Sequence, residues 1–324
     1  MIHTRVHLAD GGNLVDPPLE EVASLRANPD NVVWVDLQQA TSEELQRVSS
    51  SFGLSSLTVE DLVKQGQRAK LEAFDNYDVL IMHGMAFDVL SYEVQVPELD
   101  IVLGRNFLIT NHQDLAAIRH NHHGRPEHDC EGLANGPALL LYRVVDRLVD
   151  SYYPVLDAID DSIDVLQLQV LTDPKPPALE HILTLRRSLS LLRKVVSPQL
   201  EIFNRLISRE DEYIPREHAP YFRDVYDHLV RTFEVIDSYR DLMGSAMDAY
   251  LSTISNRQNE IMKRLTLFTT IFMPITFLTG LFGQNFAHMP QVEHDPGYLW
   301  WIVAGFMVVI TVSQFIYYRV KGWI

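Results

Sequence analysis

Between two long apolar runs the chain carries Gly283, Gln284 and Asn285, inside the stretch TGLFGQNFAHMPQ (279–291). Glycine readily ends a helix, and two successive primary amides each bring a carbonyl acceptor and an NH2 donor without formal charge. The trio sets strong hydrogen-bonding groups at the mouth of an apolar segment. Upstream, Asn259, Met262, Leu265, Thr269, Met273, Thr276 and Gly280 recur at steps of three or four, so a helix would carry them in one stripe. Thr266 fits that stripe about as well as Leu265 on spacing alone. The stripe is less apolar than the face bearing Phe268, Ile271, Phe272 and Ile275. Small and hydroxylated residues of this kind serve a helix–helix packing face or the lining of a pore, and the pattern leaves both open.

Two other groups could do chemistry. Asp157, Asp160, Asp161 and Asp164 stand at i, i+3, i+4 and i+7, on one face of a helix. They read as a solvated face, with metal ions or a basic partner as the alternative source of counter-charge. His112, His120, His122, His123, His128 and Cys130 crowd one segment, but their spacing matches no tetrahedral zinc pattern. They read as a polar surface loop. The chain shows no nucleophile–base arrangement, phosphate-cradling glycine loop or dinucleotide fingerprint, so an enzyme is not expected.

The elements that position the first stripe are two candidate membrane spans. Leu265 to Phe282 is an uncharged run of 18 residues, and Tyr298 to Tyr318 one of 21 with aromatic residues at both ends. Both reach spanning length, and the aromatics suit an interfacial belt. Lys263 and Arg264 precede the first run, Arg319 and Lys321 follow the second, and the connection holds Glu293 and Asp295 but no Lys or Arg. The positive-inside rule then puts both termini in the cytoplasm and the connection outside, in a multi-pass protein of the cell (plasma) membrane. Two spans cannot enclose a water-filled pore alone, so a pore requires several copies around an axis.

Charge is uneven. Of 324 residues, 27 are Lys or Arg and 43 Asp or Glu, a formal net charge of -16. From Arg257 onward five basic residues face three acidic ones, leaving 22 against 40 before that point. Such a surface repels nucleic acid and anionic lipid and attracts cations. The single Cys130 forms no intrachain disulfide and suits a reducing compartment. The opening MIHTRVHLADGG has no apolar core of signal-peptide length, so export of the N-terminal part is not expected.

The long part ahead of the spans reads as mixed α and β. NVVWVDL (31–37), YDVLIMHGMAF (77–87) and LDIVLGRNFLIT (99–110) suit strands, the last a hairpin around Gly104, Arg105 and Asn106. Thr41, Ser42, Glu43 and Glu44 open a helix with capping residues ahead of acids. Apolar residues recur every three or four through 144–171, TDPKPPA (172–178) makes a turn, and 181–206 returns as a second helix of a hairpin. From Tyr221 no proline occurs until Pro274, which suits one helix as far as Phe282. The expected organisation is an α+β chain. An α/β domain occupies 1–135, its helical hairpin 136–218 and a stalk helix 219–264. The first span (265–282), the outer loop (283–297), the second span (298–318) and a short tail (319–324) follow.

RQNEIMKRLTLFTTIFMPITFLTGLFGQNF (257–286), with two C-terminal spans and the ending YYRVKGWI, closely resembles the CorA-type magnesium transporters. QRAKLEAFDNYDVL (67–80), VDRLVDSYYPVLDAIDDSID (145–164) and PYFRDVYDHL (220–229) agree with it, so the resemblance runs from about residue 30 to the end. It implies a homo-pentameric funnel whose stalk helices line a central pore, and a Gly-Met-Asn signature at the outer mouth. Gly283 and Asn285 occupy that signature, where a ring of Asn carbonyls receives a hydrated cation. Magnesium keeps most of its waters, and neutral carbonyls can bond to those waters without removing them. The resemblance also implies pore-facing roles for Asn259, Met262, Leu265, Met273, Thr276 and Gly280, which favours Leu265 over Thr266. Asp88 and Asp224 match acidic positions that bind regulatory divalent ions between subunits. Gln284 departs from the family methionine and from the isoleucine usual in the zinc-transporting branch. Ala287 and Gln291 stand where acidic residues are common, and His288 and His294 appear beside them. The expected function is passage of Mg2+, with Co2+ as a second cargo, gated by cytoplasmic divalent ions. Transport of Zn2+ or another transition metal, and a non-conducting membrane scaffold, are the alternatives.

Overall fold

The structure, a computed structural model, describes residues 1–113, 132–208, 213–283 and 298–323. It divides into two compact units, Met1–Asp248 and Ala249–Ile324.

In the first unit the strands are β1 (Ile2–His7), β2 (Asn13–Val15), β3 (Val32–Gln38), β4 (Lys70–Ala73), β5 (Tyr77–His83), β6 (Ala86–Asp88), β7 (Glu93–Gln95), β8 (Glu98–Gly104) and β9 (Phe107–His112), the central ones β3, β5 and β8 rich in Val, Ile and Leu. Seven of them form one sheet in the order β2-β1-β3-β9-β8-β5-β4, and β6 and β7 pair separately. Neighbours in the large sheet are antiparallel except β3 and β9, which run parallel with Val33 opposite Phe107. The expected hairpin of β8 and β9 is present. A Cβ on Gly104 would lie 2.0 Å from the Phe107 ring, so the strand admits no side chain there.

Three short helices, α1 (Leu19–Arg26), α2 (Ser42–Phe52) and α3 (Ser56–Val63), cover one sheet face. Thr41 and Glu44 form the capping box that starts α2. Val33, Val35 and Leu37 of β3 join Leu45, Val48 and Phe52 of α2 in this core, as strand alternation requires. The intervening Trp34 and Asp36 are buried too, and α4 (Pro137–Asp150) contacts β3, β8 and β9. Every residue of β5 is buried, as in a strand covered on both faces. Each fully buried Val, Leu or Ile contributes about 1.5–3 kcal/mol over an exposed one.

The helices that follow are α5 (Tyr152–Thr172), α6 (Pro176–Ser208), α7 (Ala219–Phe282) and α8 (Tyr298–Val320). The period through 144–171, read above as one helix, divides at Ser151 between α4 and α5. Pro154 gives the reason: it has no N–H for the Asp150 carbonyl. Pro198 and Pro274, by contrast, lie inside uninterrupted helices. α7 is continuous over 64 residues, as the proline-free run from Tyr221 predicts.

The second unit holds the end of α7 and all of α8. Both helices contain windows long and apolar enough to cross a membrane, with none of the window buried. Lys263 Nζ donates to the Gly322 carbonyl at 3.2 Å and lies 5.9 Å over the Trp323 ring. The start of the first span is thereby tied to the end of the second.

Candidate functional site

α7 carries the predicted stripe on one side, and Asn259, Met262, Leu265, Thr269, Met273, Thr276 and Gly280 are all exposed in the single chain. The half-covered positions of the same stretch include Leu267, Ile271, Pro274 and Leu278. At about 3.6 residues per turn these lie on the opposite side of the helix from Thr269. On α8 the half-covered positions include Val303, Met307, Ile310 and Gln314, again at steps of three or four. Packing between the two spans of one chain therefore uses residues other than the stripe.

Thr269 shows how a hydroxyl behaves on that stripe. Its Oγ1 donates to the Leu265 carbonyl at 2.9 Å, as Thr266 does to Met262 at 2.8 Å. With the proton committed to the helix, the hydroxyl oxygen is left as an acceptor. Acceptors suit the outward-pointing hydrogens of water around a cation.

At the end of α7, the Gly283 N–H bonds the Thr279 carbonyl at 2.8 Å. A Cβ on Gly283 would come within 2.8 Å of that same oxygen. The helix end is closed by a contact that a side chain would force apart. Gln284, Asn285, Ala287, His288, Gln291 and His294 lie outside the described residues, as do His120, His122, His123, His128 and Cys130.

A second constellation lies in the first unit. Asp146 and Asp150 of α4 and His228 of α7 offer ligand atoms all within 4.8 Å of one another. His228 Nδ1 is 3.7 Å from Asp150 Oδ1, and its Nε2 is 4.0 Å from Asp224 Oδ1. Asp224, singled out from the sequence, thus borders three groups that were not. Burial raises the Asp146 carboxyl above its ordinary value, and the charges of Asp150 and Asp224 add to the rise, while His228 opposes it. The cluster is under-neutralised, and His228 Nδ1 has no hydrogen-bond partner among the described residues. The donors fit a divalent cation: carboxylate oxygens suit magnesium, and an imidazole nitrogen suits the later transition metals. The signal was present as two i, i+4 pairs, Asp146/Asp150 and Asp224/His228, but nothing local says that the two pairs meet.

Asp88 is placed differently. It lies at the β6–β7 turn, where Oδ1 accepts the Leu90 N–H at 3.0 Å and Oδ2 the Ser91 hydroxyl at 2.7 Å. The Ser91 bond, with the Leu90 one, holds its carboxyl below the usual range. Asp88 is exposed and outside the three-ligand group. His112 corrects the surface-loop reading of its segment: it is a buried β9 residue whose Nε2 lies 3.3 Å from Asp36 Oδ1. The face of Asp157, Asp160, Asp161 and Asp164 is exposed. Burial, followed by Asp160, pushes the Tyr239 hydroxyl up to about 12.

Known proteins resemble this chain over most of its length. The family model described as "CorA-like Mg2+ transporter protein" matches residues 29–319. The cobalt/magnesium transport protein CorA of Thermotoga maritima is 34% identical over 90% of this chain and 83% of its own. The protein of the same name from Methanocaldococcus jannaschii is 27% identical over 99% of each. The solved structure described as the complete CorA magnesium transporter of that organism superposes with a TM-score of 0.81, at 24% identity, over 100% of this chain and 99% of that one.

Proposed function

Because the chain belongs to the CorA-like Mg2+ transporter family, we infer that it carries divalent cations, magnesium and cobalt, across a membrane through a pore built by several copies. One observation carries the reading beyond kinship. The Thr269 and Thr276 side of the first span, less apolar than the face bearing Phe268 and Phe272, is turned away from the chain's own second span and is left uncovered. Lipid gains nothing from Thr269 and Thr276, whereas a wet axis shared with identical neighbours satisfies them.

In this reading five copies surround the axis, by resemblance to the family, with both termini in the cytoplasm and the spans in the plasma membrane. Gly283 and Asn285 form the outer mouth, with Gln284 between them where the family has methionine. Met262, Leu265 and Met273 narrow the path with apolar side chains that gate by expelling water. Asp146, Asp150, Asp224 and His228 hold a regulatory divalent ion, and Asp88 of a neighbouring copy supplies the remaining acidic group. Such an ion favours the closed state by binding it better, and its loss permits opening.

Flux of Mg2+, Co2+ and Zn2+ into liposomes holding the purified protein tests this. Mg2+ and Co2+ should pass, and Asp224→Asn should raise flux at high internal divalent concentration. Zinc flux alone would assign the zinc-transporting branch. Silence with all three ions would leave a scaffold.

A further inference from the structure

A chain with 43 acidic residues against 27 basic ones nevertheless builds a cavity of the opposite sign. The cavity, of about 770 Å3, is bounded by the loop that ends at Ala69, by the middle of α6 and by α7. Arg68, Arg193, Lys194 and Arg240 line it, and no carboxylate does among the described residues. Its size falls within the roughly 300–1,000 Å3 of small-molecule sites. The cations come from three separate segments, so the fold gathers them, and sequence proximity does not.

Their neutralisation is incomplete and their placement is fixed. Arg193 Nε and Arg240 Nη1 bond the same carboxylate, Asp237 Oδ1, at 2.8 and 2.7 Å. Two guanidinium charges thus share one counter-charge. Arg193 also lies 5.2 Å over the ring of Phe233, a contact that orients its plane. Arg68 has a loose partner in Glu201, at 3.9 Å with both side chains 73% exposed, a geometry of little energetic weight. Lys194 is exposed and has no ion pair among the described residues. His83, buried in the wall, has an Nδ1 without a hydrogen-bond partner among them, while its Nε2 lies 3.9 Å from Glu98 Oε2. Like charges gathered around one cavity repel, and a bound anion relieves that repulsion.

We propose that this cavity binds a polyvalent phosphate anion, the phosphate chain of a nucleoside polyphosphate or of a short inorganic polyphosphate. Guanidinium groups grip phosphate oxygens two at a time, and a lysine adds a mobile point charge. Several fixed cations favour a chain of phosphates over one. Phe233 offers a flat apolar wall that a nucleobase could use and an inorganic chain could not. The site is independent of the ion path and of the Asp146 cluster, so it stands whether or not transport is observed.

Calorimetric titration of the full-length protein in detergent, at constant free Mg2+, tests it with ATP, tripolyphosphate, orthophosphate and adenosine. ATP and tripolyphosphate should bind, orthophosphate roughly tenfold more weakly, and adenosine not at all. Equal affinities for ATP and tripolyphosphate would assign the whole site to the phosphate chain. Tighter ATP would place the base on Phe233. Arg68→Glu and Lys194→Glu change exposed side chains and should leave melting without ligand unaltered while weakening both ligands about tenfold each. If either reversal lowers melting, Arg68→Gln and Lys194→Gln take its place and should weaken binding severalfold. Glu201→Gln, which frees Arg68, should tighten it. No binding of either polyphosphate, or binding indifferent to Lys194 and Arg68, overturns the proposal.

Discussion

Residues 1–248 and residues 249–324 handle apolar surface in opposite ways. In the first unit Ile101, Ile109, Leu189 and Phe203 are fully buried. In the second, Phe268, Phe272, Ile302 and Phe306 stay more than half exposed, and Tyr250 and Tyr318 are the only buried apolar residues among those described. The first unit completes its core from its own side chains, as folding in water demands. The second exposes a hydrocarbon surface that only a bilayer covers, and within that surface a polar stripe that lipid does not satisfy. On the proposed reading, an isolated second unit needs two different partners, lipid on one side and further copies on the other.

The sharpest test of that contrast is Gly283→Val. Its new side chain meets the Thr279 carbonyl at the end of α7, and such overpacking displaces the backbone. Ion flux should fall by at least about tenfold if it displaces the mouth by even one unfavourable contact, while melting of the first unit stays as it was. Loss of both together would mean that the units do not behave separately. Next, Phe203→Ala should cost about 3–5 kcal/mol of stability, read as a fall in melting temperature. Phe272→Ala, at a position 58% exposed, should shift it within about 0.5 kcal/mol.

A pH-dependent effect is expected from acid–base chemistry in the first unit. Burial, with the neighbouring Glu98 adding to it, pushes the Asp100 carboxyl from an ordinary 3.8 up to about 8. The folded state binds that proton more tightly than the unfolded one. Its contribution to stability is complete below about pH 3.8 and is lost as pH rises through about 8. Asp100→Asn should therefore melt higher than the parent at pH 8, with the difference shrinking as the medium is acidified. A gap that widens toward acid would reverse the assignment. A milder change in the stripe than Gly283→Val is Thr269→Val, which keeps shape but removes an acceptor. Flux should drop roughly two- to tenfold, the worth of one hydrogen bond, with assembly and melting unaffected.

Much of this architecture is written in local pattern. The capping box at Thr41, the Gly104 hairpin and the long proline-free run to Phe282 each depend on neighbours within a few residues, and each element is present. Sequence pattern does not single out β1, although Ile2, Thr4 and Val6 alternate with His3, Arg5 and His7. An edge-adjacent strand so mixed in polarity resembles a loop until its pairing with β3 is known. Ser151 separates two helices because of Pro154, three residues farther on, a signal masked by apolar spacing that continues across it. The Asp146, Asp150, Asp224 and His228 cluster joins α4 to α7 across more than 70 positions. Periodicity assigns a face to each helix and is silent on which faces meet. The basic cavity is hidden for the same reason, since Arg68, Arg193 and Arg240 share no motif.

The hydroxyl of Thr269 points its hydrogen back at Leu265. On the proposed axis it therefore greets a visitor with oxygen alone. Water clothing a chloride ion shows its own oxygens to the surroundings and would find nothing there to grasp, whereas water clothing a metal ion shows hydrogens. Discrimination by sign can thus arise from the way one small dipole is turned, with no ionised side chain in the bilayer to provide it.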